Sequence, residues 1–212
     1  MRPRADVIPW SVAFAVALHG CAHSTPSPSQ RQEPSGGRRQ LEAYAMLRVG
    51  VERTYEVDFQ GQTGRRTVKT VRKEGPYFVD DAGGALALSP NGLRDRDRYL
   101  VRLPLEPGTE WSAVQSASAV ERYTIRSVDQ PCTLRAGRFE ACLTVVSRLR
   151  RDARMTLEAR WTWVRGIGLA RVETVAILEG RRVPQTRQDL IHYDLAPATN
   201  GGNPVPPPGR SE

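Results

Sequence analysis

The sequence has few lysines, histidines, cysteines and aromatic residues, and it has no long apolar run. Two of its 31 basic residues are lysines, and the 212 residues include three histidines, three cysteines and 7% aromatic side chains. The apolar run at 12–18 is far shorter than the roughly 20 residues of a membrane-spanning helix. A zinc site needs several histidine or cysteine ligands, and His192 is the only histidine after residue 23. We therefore expect no metal and no cofactor.

The first 20 residues have the features of an export signal. Arg2 and Arg4 form a basic start, and the short apolar run follows. The run ends in Leu18-His19-Gly20-Cys21, which resembles the lipobox of bacterial lipoproteins. The resemblance implies that Cys21 carries a diacylglyceryl group and anchors the chain to a membrane of the cell envelope. Ala22 is not a retention residue for the inner membrane, so the outer membrane is favoured, and secretion as a soluble periplasmic protein is the alternative.

Composition divides the chain into four segments. Residues 1–20 are the signal peptide, and residues 21–40 are the lipidated cysteine and a tether rich in Pro, Ser, Gln and Gly, which we expect to be disordered. Residues 41–195 have the apolar content of a folded domain. Residues 196–212, with several prolines and glycines, form a second disordered segment.

The charge is strongly positive. Loss of residues 1–20 removes two arginines and one aspartate, so the net charge falls from +8 to +7. An exported protein rarely meets nucleic acid, so we expect no nucleic-acid partner; anionic lipids, anionic envelope polymers or an envelope protein are the expected partners. Four arginines lie within seven residues: Arg148, Arg150, Arg151 and Arg154. They are either a solvated hairpin tip or an anion-binding patch.

The two cysteines after Cys21 predict one disulfide. In an oxidising compartment an even number of cysteines favours a bridge, here between Cys132 and Cys142. A hairpin centred on Gly137 would place the two cysteines directly opposite each other, with Cα atoms about 4.5–5.5 Å apart.

Alternation of apolar and polar residues predicts an all-β, mainly antiparallel domain: a meandering curved sheet, half-barrel or sandwich with at most one or two short helices. Turn signals recur about every ten residues between the strands. The ten predicted strands are Tyr55–Phe59, Thr67–Val71, Tyr77–Val79, Ala85–Leu88, Tyr99–Leu103, Arg122–Val128, Phe139–Leu149, Met155–Trp163, Leu169–Leu178 and Thr186–Tyr193. The candidate helices are Gln40–Val51 and Ser112–Glu121.

Four segments, in order, resemble landmarks of a loose family of secreted bacterial lipoproteins. They are Leu103–Trp111, Tyr123–Val128, Leu134–Leu143 and Trp163–Arg171. The family patterns read PLxxGxxW, PAGxFxxCxxV and YAxGVGLV, and the likeness covers roughly residues 45 to 195. Arg135 departs from the usual proline, and Val164-Arg165 replaces a small residue. Most members have no known role, and the motifs imply structure and no catalysis.

Three classes of function are compatible with these features. No Gly-x-Ser-x-Gly motif is present and the lone His192 lies in a strand pattern, so we expect no catalytic residue. A carrier or sensor of an apolar ligand would need a cavity, for which the candidates are Trp111, Trp161, Trp163, Tyr55 and Phe59. The preferred hypothesis is a non-catalytic envelope module that binds a protein or an anionic envelope polymer.

Overall fold

Twelve antiparallel strands form one continuous sheet in the computed structural model, which describes residues 35–116 and 119–195. One helix precedes them. The bounds are α1 Ser35–Ala45, β1 Glu52–Phe59, β2 Gln62–Glu74, β3 Tyr77–Asp80, β4 Ala85–Ser89, β5 Gly92–Arg94, β6 Tyr99–Arg102, β7 Glu110–Ser116, β8 Ala119–Leu134, β9 Gly137–Arg150, β10 Met155–Val164, β11 Gly168–Leu178 and β12 Arg181–Asp194. The predicted all-β class is confirmed. The signal peptide, Cys21 and the predicted tail at 196–212 lie outside the described residues.

The sheet is a meander that curves into a nearly closed barrel. Its strand order is β6-β5-β4-β3-β2-β1-β12-β11-β10-β9-β8-β7, so β1 and β12 pair and β6 and β7 are the two edges. The Trp111 indole N–H on β7 donates to the Tyr99 carbonyl on β6 at 3.0 Å. This contact brings the edges together, and curvature of this kind protects edge strands from pairing with other chains.

The interior is filled by alternate residues of the strands and by helix α1. Leu41 and Tyr44 on one face of the helix are fully buried and pack in the same cluster as Leu93 of β5 and Trp163 of β10. Burial of each side chain of this size contributes about 1.5–3 kcal/mol to stability. In the described part of the chain, no helix has the length and apolar character that a membrane span requires.

Helix α1 begins before the predicted boundary of the domain. The tether was expected to reach residue 40, but residues 35–40 are helical, and the helix ends at Ala45 although helix was predicted to Val51. Gln40 donates to the Asp129 carboxylate at 2.7 Å, and Tyr44 and Arg165 donate to the same carboxylate. These bonds fix the polar side of the helix. Burial and the bond to Asp129 raise the pKa of Tyr44 to about 12.

Strands β5 and β7 were not predicted, and the prediction of a helix at Ser112–Glu121 is wrong. This segment falls in the β7 and β8 hairpin. Trp111 is the one buried residue of β7, and most of the strand is exposed, so period-two alternation is hard to recognise. Strand β5 has three residues, and a side chain at Gly92 would clash with the Val101 carbonyl of β6.

The predicted disulfide between Cys132 and Cys142 is confirmed, with a Cα separation of 6.0 Å. The register predicted for it is wrong. Cys132 faces Phe139 and Cys142 faces Gln130, because the turn is Arg135-Ala136 and β8 carries register shifts on the way to the turn. The bridge therefore crosses the hairpin diagonally at an irregular part of β8.

Candidate functional site

Five arginines lie together on the outward side of β8 and β9 and in the turn that follows. We call this group the arginine face: Arg122, Arg126, Arg148, Arg150 and Arg151. They line two adjoining surface depressions of about 600 and 570 Å³, which share Arg122 and Arg148. Strand alternation places Arg122 and Arg126 on one side of β8, and the antiparallel register sets Arg122 directly opposite Arg148 of β9.

The arginine face carries more positive than negative charge. Arg148 pairs with Glu158 of β10 at 2.9 Å, and Arg182 pairs with the other oxygen of that carboxylate at 2.8 Å. Burial alone would raise the pKa of Glu158, but hydrogen bonds from Arg182 and Arg148 outweigh it and lower the pKa. Within residues 35–116 and 119–195, no carboxylate oxygen lies within 4.0 Å of the other four arginines of the face.

The structure brings together three of the four arginines that the sequence grouped. Arg148, Arg150 and Arg151 line the depressions. Arg154 does not line either one; its exposed side chain pairs with Glu179 at 3.6 Å. Sequence reasoning missed Arg122 and Arg126. The spacing that puts them on one face of β8 with Thr124 was visible in the sequence, but the pairing of Arg122 with Arg148 of β9 was not.

In a second cluster of charges, on β1, β11, β12 and the β8–β9 turn, each of three arginines pairs with at least one of four carboxylates. We call it the matched cluster: Asp58, Glu56, Arg135, Arg171, Glu173, Arg187 and Asp189. Asp189 is 1% exposed and accepts hydrogen bonds from Arg171 at 2.6 Å and Arg187 at 2.8 Å. Arg187 also pairs with Glu173 at 3.7 Å. The Asp189 and Glu173 carboxylates raise the pKa of Arg187 against the opposing effect of burial, with the bond to Asp189 the largest cause.

The five aromatic residues predicted to line a cavity do not share one. Trp163 and Tyr55 are buried in two different core clusters, and Phe59 is 52% exposed. The Tyr55 hydroxyl donates to the Leu169 carbonyl at 2.8 Å, and burial raises its pKa to about 12. Trp163 and Tyr55 therefore fill the core, whereas Phe59 lies on the surface at the end of β1. Trp111 and Trp161 enclose the Tyr123 ring, with centroids 5.2 and 5.8 Å away.

Trp161 also lines a different space, a cavity of about 440 Å³ that is open to solvent on one side and that we call the interior cavity. Its apolar wall consists of Trp161, Ala159, Leu157 and Leu149. Its polar end contains Arg98, Gln115, Glu121 and Ser147. Two of the predicted cavity residues thus frame Tyr123: Trp111 lines the larger surface depression and Trp161 lines the interior cavity.

The Glu121 carboxylate organises the polar end of the interior cavity. It is 5% exposed, and it accepts hydrogen bonds from the Ser147 hydroxyl at 2.5 Å, from the Gln115 amide at 3.0 Å and from Arg98. Arg98 also lies 3.6 Å from Asp95. Burial, and next the Glu121 carboxylate, raise the pKa of Tyr123, whose hydroxyl has no hydrogen-bond partner among the described residues.

The lone histidine of the described ranges and the aspartates of two turns lie on different elements of the fold. His192 is exposed on β12 opposite Thr54. Asp80 accepts backbone hydrogen bonds from Ala82 and Gly84, and Asp95 accepts them from Asp97 and Arg98, so both carboxylates hold turns. Turn aspartates of this kind are structural.

Comparisons with models of known families and with curated proteins find no match. Two solved structures do match. One is a predicted exported protein with a YmcC-like fold from Bacteroides fragilis, 12% identical over 72% of this chain and 99% of that one, with a TM-score of 0.44. The other is a predicted lipoprotein from Parabacteroides distasonis, 9% identical over 71% of this chain and 98% of that one, with a TM-score of 0.40. At these values neither match assigns a function to this chain.

Proposed function

We propose that this protein is a non-catalytic envelope lipoprotein, anchored through Cys21, whose arginine face binds the phosphate headgroups of anionic envelope lipids. The observation that carries the proposal is the register of Arg122 directly opposite Arg148. Like charges at directly opposed positions of an antiparallel pair destabilise a sheet. A bound anion between the two strands removes that repulsion.

Phosphate fits the chemistry of the face. Guanidinium groups bind phosphate through two parallel N–H donors, which makes arginine the preferred residue for this recognition. Arg122 and Arg126 face the larger depression without a carboxylate within 4.0 Å in the described ranges. Their guanidinium groups are therefore available to a phosphate.

An exposed apolar pair beside the face favours a lipid surface over a soluble polymer. Val114 and Val120 oppose each other across the β7 and β8 hairpin, and they are 77% and 45% exposed. Val120 lines the same depression as Arg122 and Arg150. Apolar side chains next to arginines are typical of surfaces that lie in the headgroup region of a membrane.

The anchor would supply a second contact with the envelope. One acyl chain gives only marginal membrane binding, and a basic patch adds to it. Each arginine near an anionic surface contributes about 1 kcal/mol. Placement in the outer membrane is part of this proposal. An envelope protein as partner, in place of lipid, is the alternative.

Vesicle sedimentation tests the arginine face directly. The mature chain with Cys21→Ser is mixed with phosphatidylglycerol or phosphatidylcholine vesicles at low and high salt. We expect salt-sensitive binding to the anionic vesicles only, and we expect Arg122→Gln with Arg126→Gln to weaken it roughly 30-fold, at about 1 kcal/mol per arginine.

The matched control is Arg138→Gln with Arg154→Gln, which removes the same charge from two exposed arginines outside the face. Equal losses in the two double variants would mean that net charge alone drives binding, and the arginine face would have no specific role. Binding to soluble polyphosphate but not to vesicles would replace the lipid by an anionic polymer. Palmitate labelling of the wild type, lost in Cys21→Ser, tests the anchor separately.

A further inference from the structure

We infer that the interior cavity binds a small uncharged molecule with an apolar body and a hydrogen-bonding head, such as an amide, a hydroxyl or an aromatic amine. This site adjoins the arginine face, with which it shares Arg151. Its apolar lining residues project inward from β9 and β10, whereas Arg122 and Arg148 project outward from β8 and β9.

The volume and the wall of the cavity determine the body of the ligand. A cavity of about 440 Å³ lies within the range of small-molecule sites, which runs from about 300 to 1,000 Å³. Leu149, Leu157, Ala159 and Trp161 form one continuous apolar side. The Trp161 ring is stacked on Tyr123, so the wall is held in place before a ligand arrives.

The polar end determines the head of the ligand. Glu121 has one oxygen that accepts from Ser147 alone and a second that accepts from both Gln115 and Arg98. The first oxygen therefore has a lone pair left for one further donor. Arg98, 28% exposed at its side chain, keeps N–H groups that its bonds to Glu121 and Asp95 do not use.

The charges near the polar end balance, which favours an uncharged head. The lining of the cavity contains two cations, Arg98 and Arg151, and two carboxylates, Glu121 and Glu158. A lining without net charge attracts an ion of neither sign, and a charged ligand would lose its hydration on entry. A neutral group that donates to Glu121 and accepts from Arg98 would find both partners already oriented.

A purely structural role for Glu121 would not require the cavity. Its bonds to Arg98 and Gln115 connect β8 to the turn before β6 and to β7, and these bonds would hold the barrel equally well around a filled interior. Small-molecule sites are clefts or cavities with an apolar wall and a few oriented polar groups. The open volume beside an oriented carboxylate is the feature that points to a ligand.

The test uses N-phenyl-1-naphthylamine, an uncharged dye with apolar rings and one N–H donor, and the full mature chain. We expect saturable binding with one site per chain in a fluorescence titration. Ala159→Phe fills the space beside Trp161 and is expected to weaken binding at least about tenfold. The matched control is Ala82→Phe, which adds the same side chain to an exposed turn and is expected to bind like the wild type.

A second variant keeps the proposal testable if Ala159→Phe does not fold. Glu121→Gln preserves the volume of the cavity and changes the acceptor, and we expect about tenfold weaker dye binding, the size of one hydrogen bond to a charged group. Non-saturable binding by the wild type, or equal affinity in the wild type and both cavity variants, would overturn the inference. Dye binding that is unchanged in Arg122→Gln with Arg126→Gln separates this site from the arginine face.

Discussion

Arginines occur on neighbouring strands in two parts of the sheet, and the two parts differ in what lies opposite each arginine. In the matched cluster the register sets Arg171 opposite Asp189 and Arg187 opposite Glu173. In the arginine face the register sets Arg122 opposite Arg148. The strands are antiparallel in both, and residues at these positions project from the same side of each pair.

The difference separates charges that hold the fold from charges that are available to a partner. Asp189 is almost fully buried and satisfies two guanidinium groups, so its charge is balanced inside the molecule. Arg122 has an arginine as its cross-strand neighbour and no carboxylate within 4.0 Å in the described ranges, so its guanidinium group is available to an anion from outside. Each of the following predictions tests one side of this comparison.

The largest effect is expected from Asp189→Ala. Removal of this carboxylate leaves Arg171 and Arg187 without their shared acceptor and removes the acceptor that lies 3.5 Å from the Arg135 backbone N–H. Loss of one partner from a buried ion pair costs about 3 kcal/mol or more. Urea unfolding of the variant measures the loss. The control is Glu179→Ala, which breaks the exposed pair with Arg154 and is expected to cost less than about 1 kcal/mol.

The disulfide is expected to have the next largest effect, because it holds the hairpin tip that covers the matched cluster. The tip is tied to β12 by the Ala136 N–H, which donates to the Leu190 carbonyl at 2.8 Å, and to β1 by Arg135. Replacement of Cys132 and Cys142 by serine should lower the unfolding free energy by about 2–3 kcal/mol. Unchanged stability in the double variant would show that the hairpin tip is held by its packing alone.

Arg122→Glu sharpens the comparison, because it converts the arginine face into a copy of the matched cluster. The new carboxylate would face Arg148, and replacement of a like-charge pair by an opposite-charge pair should raise the unfolding free energy by about 0.5 kcal/mol. The same change should weaken binding to anionic vesicles by at least about tenfold. Stability and binding would then move in opposite directions. Lower stability in this variant would contradict the assignment of Arg122 as an uncompensated charge.

The sequence predicted the strands better than the sites. All ten predicted strands are present because alternation depends on local pattern, whereas β5 is too short and β7 too exposed to show one. The partner of Cys132 was predicted correctly from cysteine count, although the register behind it was wrong. Arg122 and Arg148 are 26 positions apart, and only the observed pairing of β8 with β9 shows that they oppose each other. The interior cavity depends on several strands at once, which no local pattern reveals.

The smallest effect is expected at Glu158, the carboxylate that pairs with Arg148 of the arginine face and with Arg182. Its pKa is lowered in the folded protein because the hydrogen bonds from Arg182 and Arg148 outweigh the effect of burial. A carboxyl whose folded pKa lies below its unfolded value adds stability above the ordinary glutamate pKa and loses it as the pH falls through the folded pKa. Between pH 7 and pH 3, Glu158→Gln should therefore lose less stability than the wild type. The difference should be under about 1 kcal/mol, since the two arginines that pair with Glu158 are half-exposed.

Chemical unfolding at several pH values measures this difference in stability, with Glu140→Gln at an exposed pair as control. If the two variants have the same pH dependence, Glu158 does not hold Arg148 in place, and Arg148 is as free as Arg122 to bind phosphate.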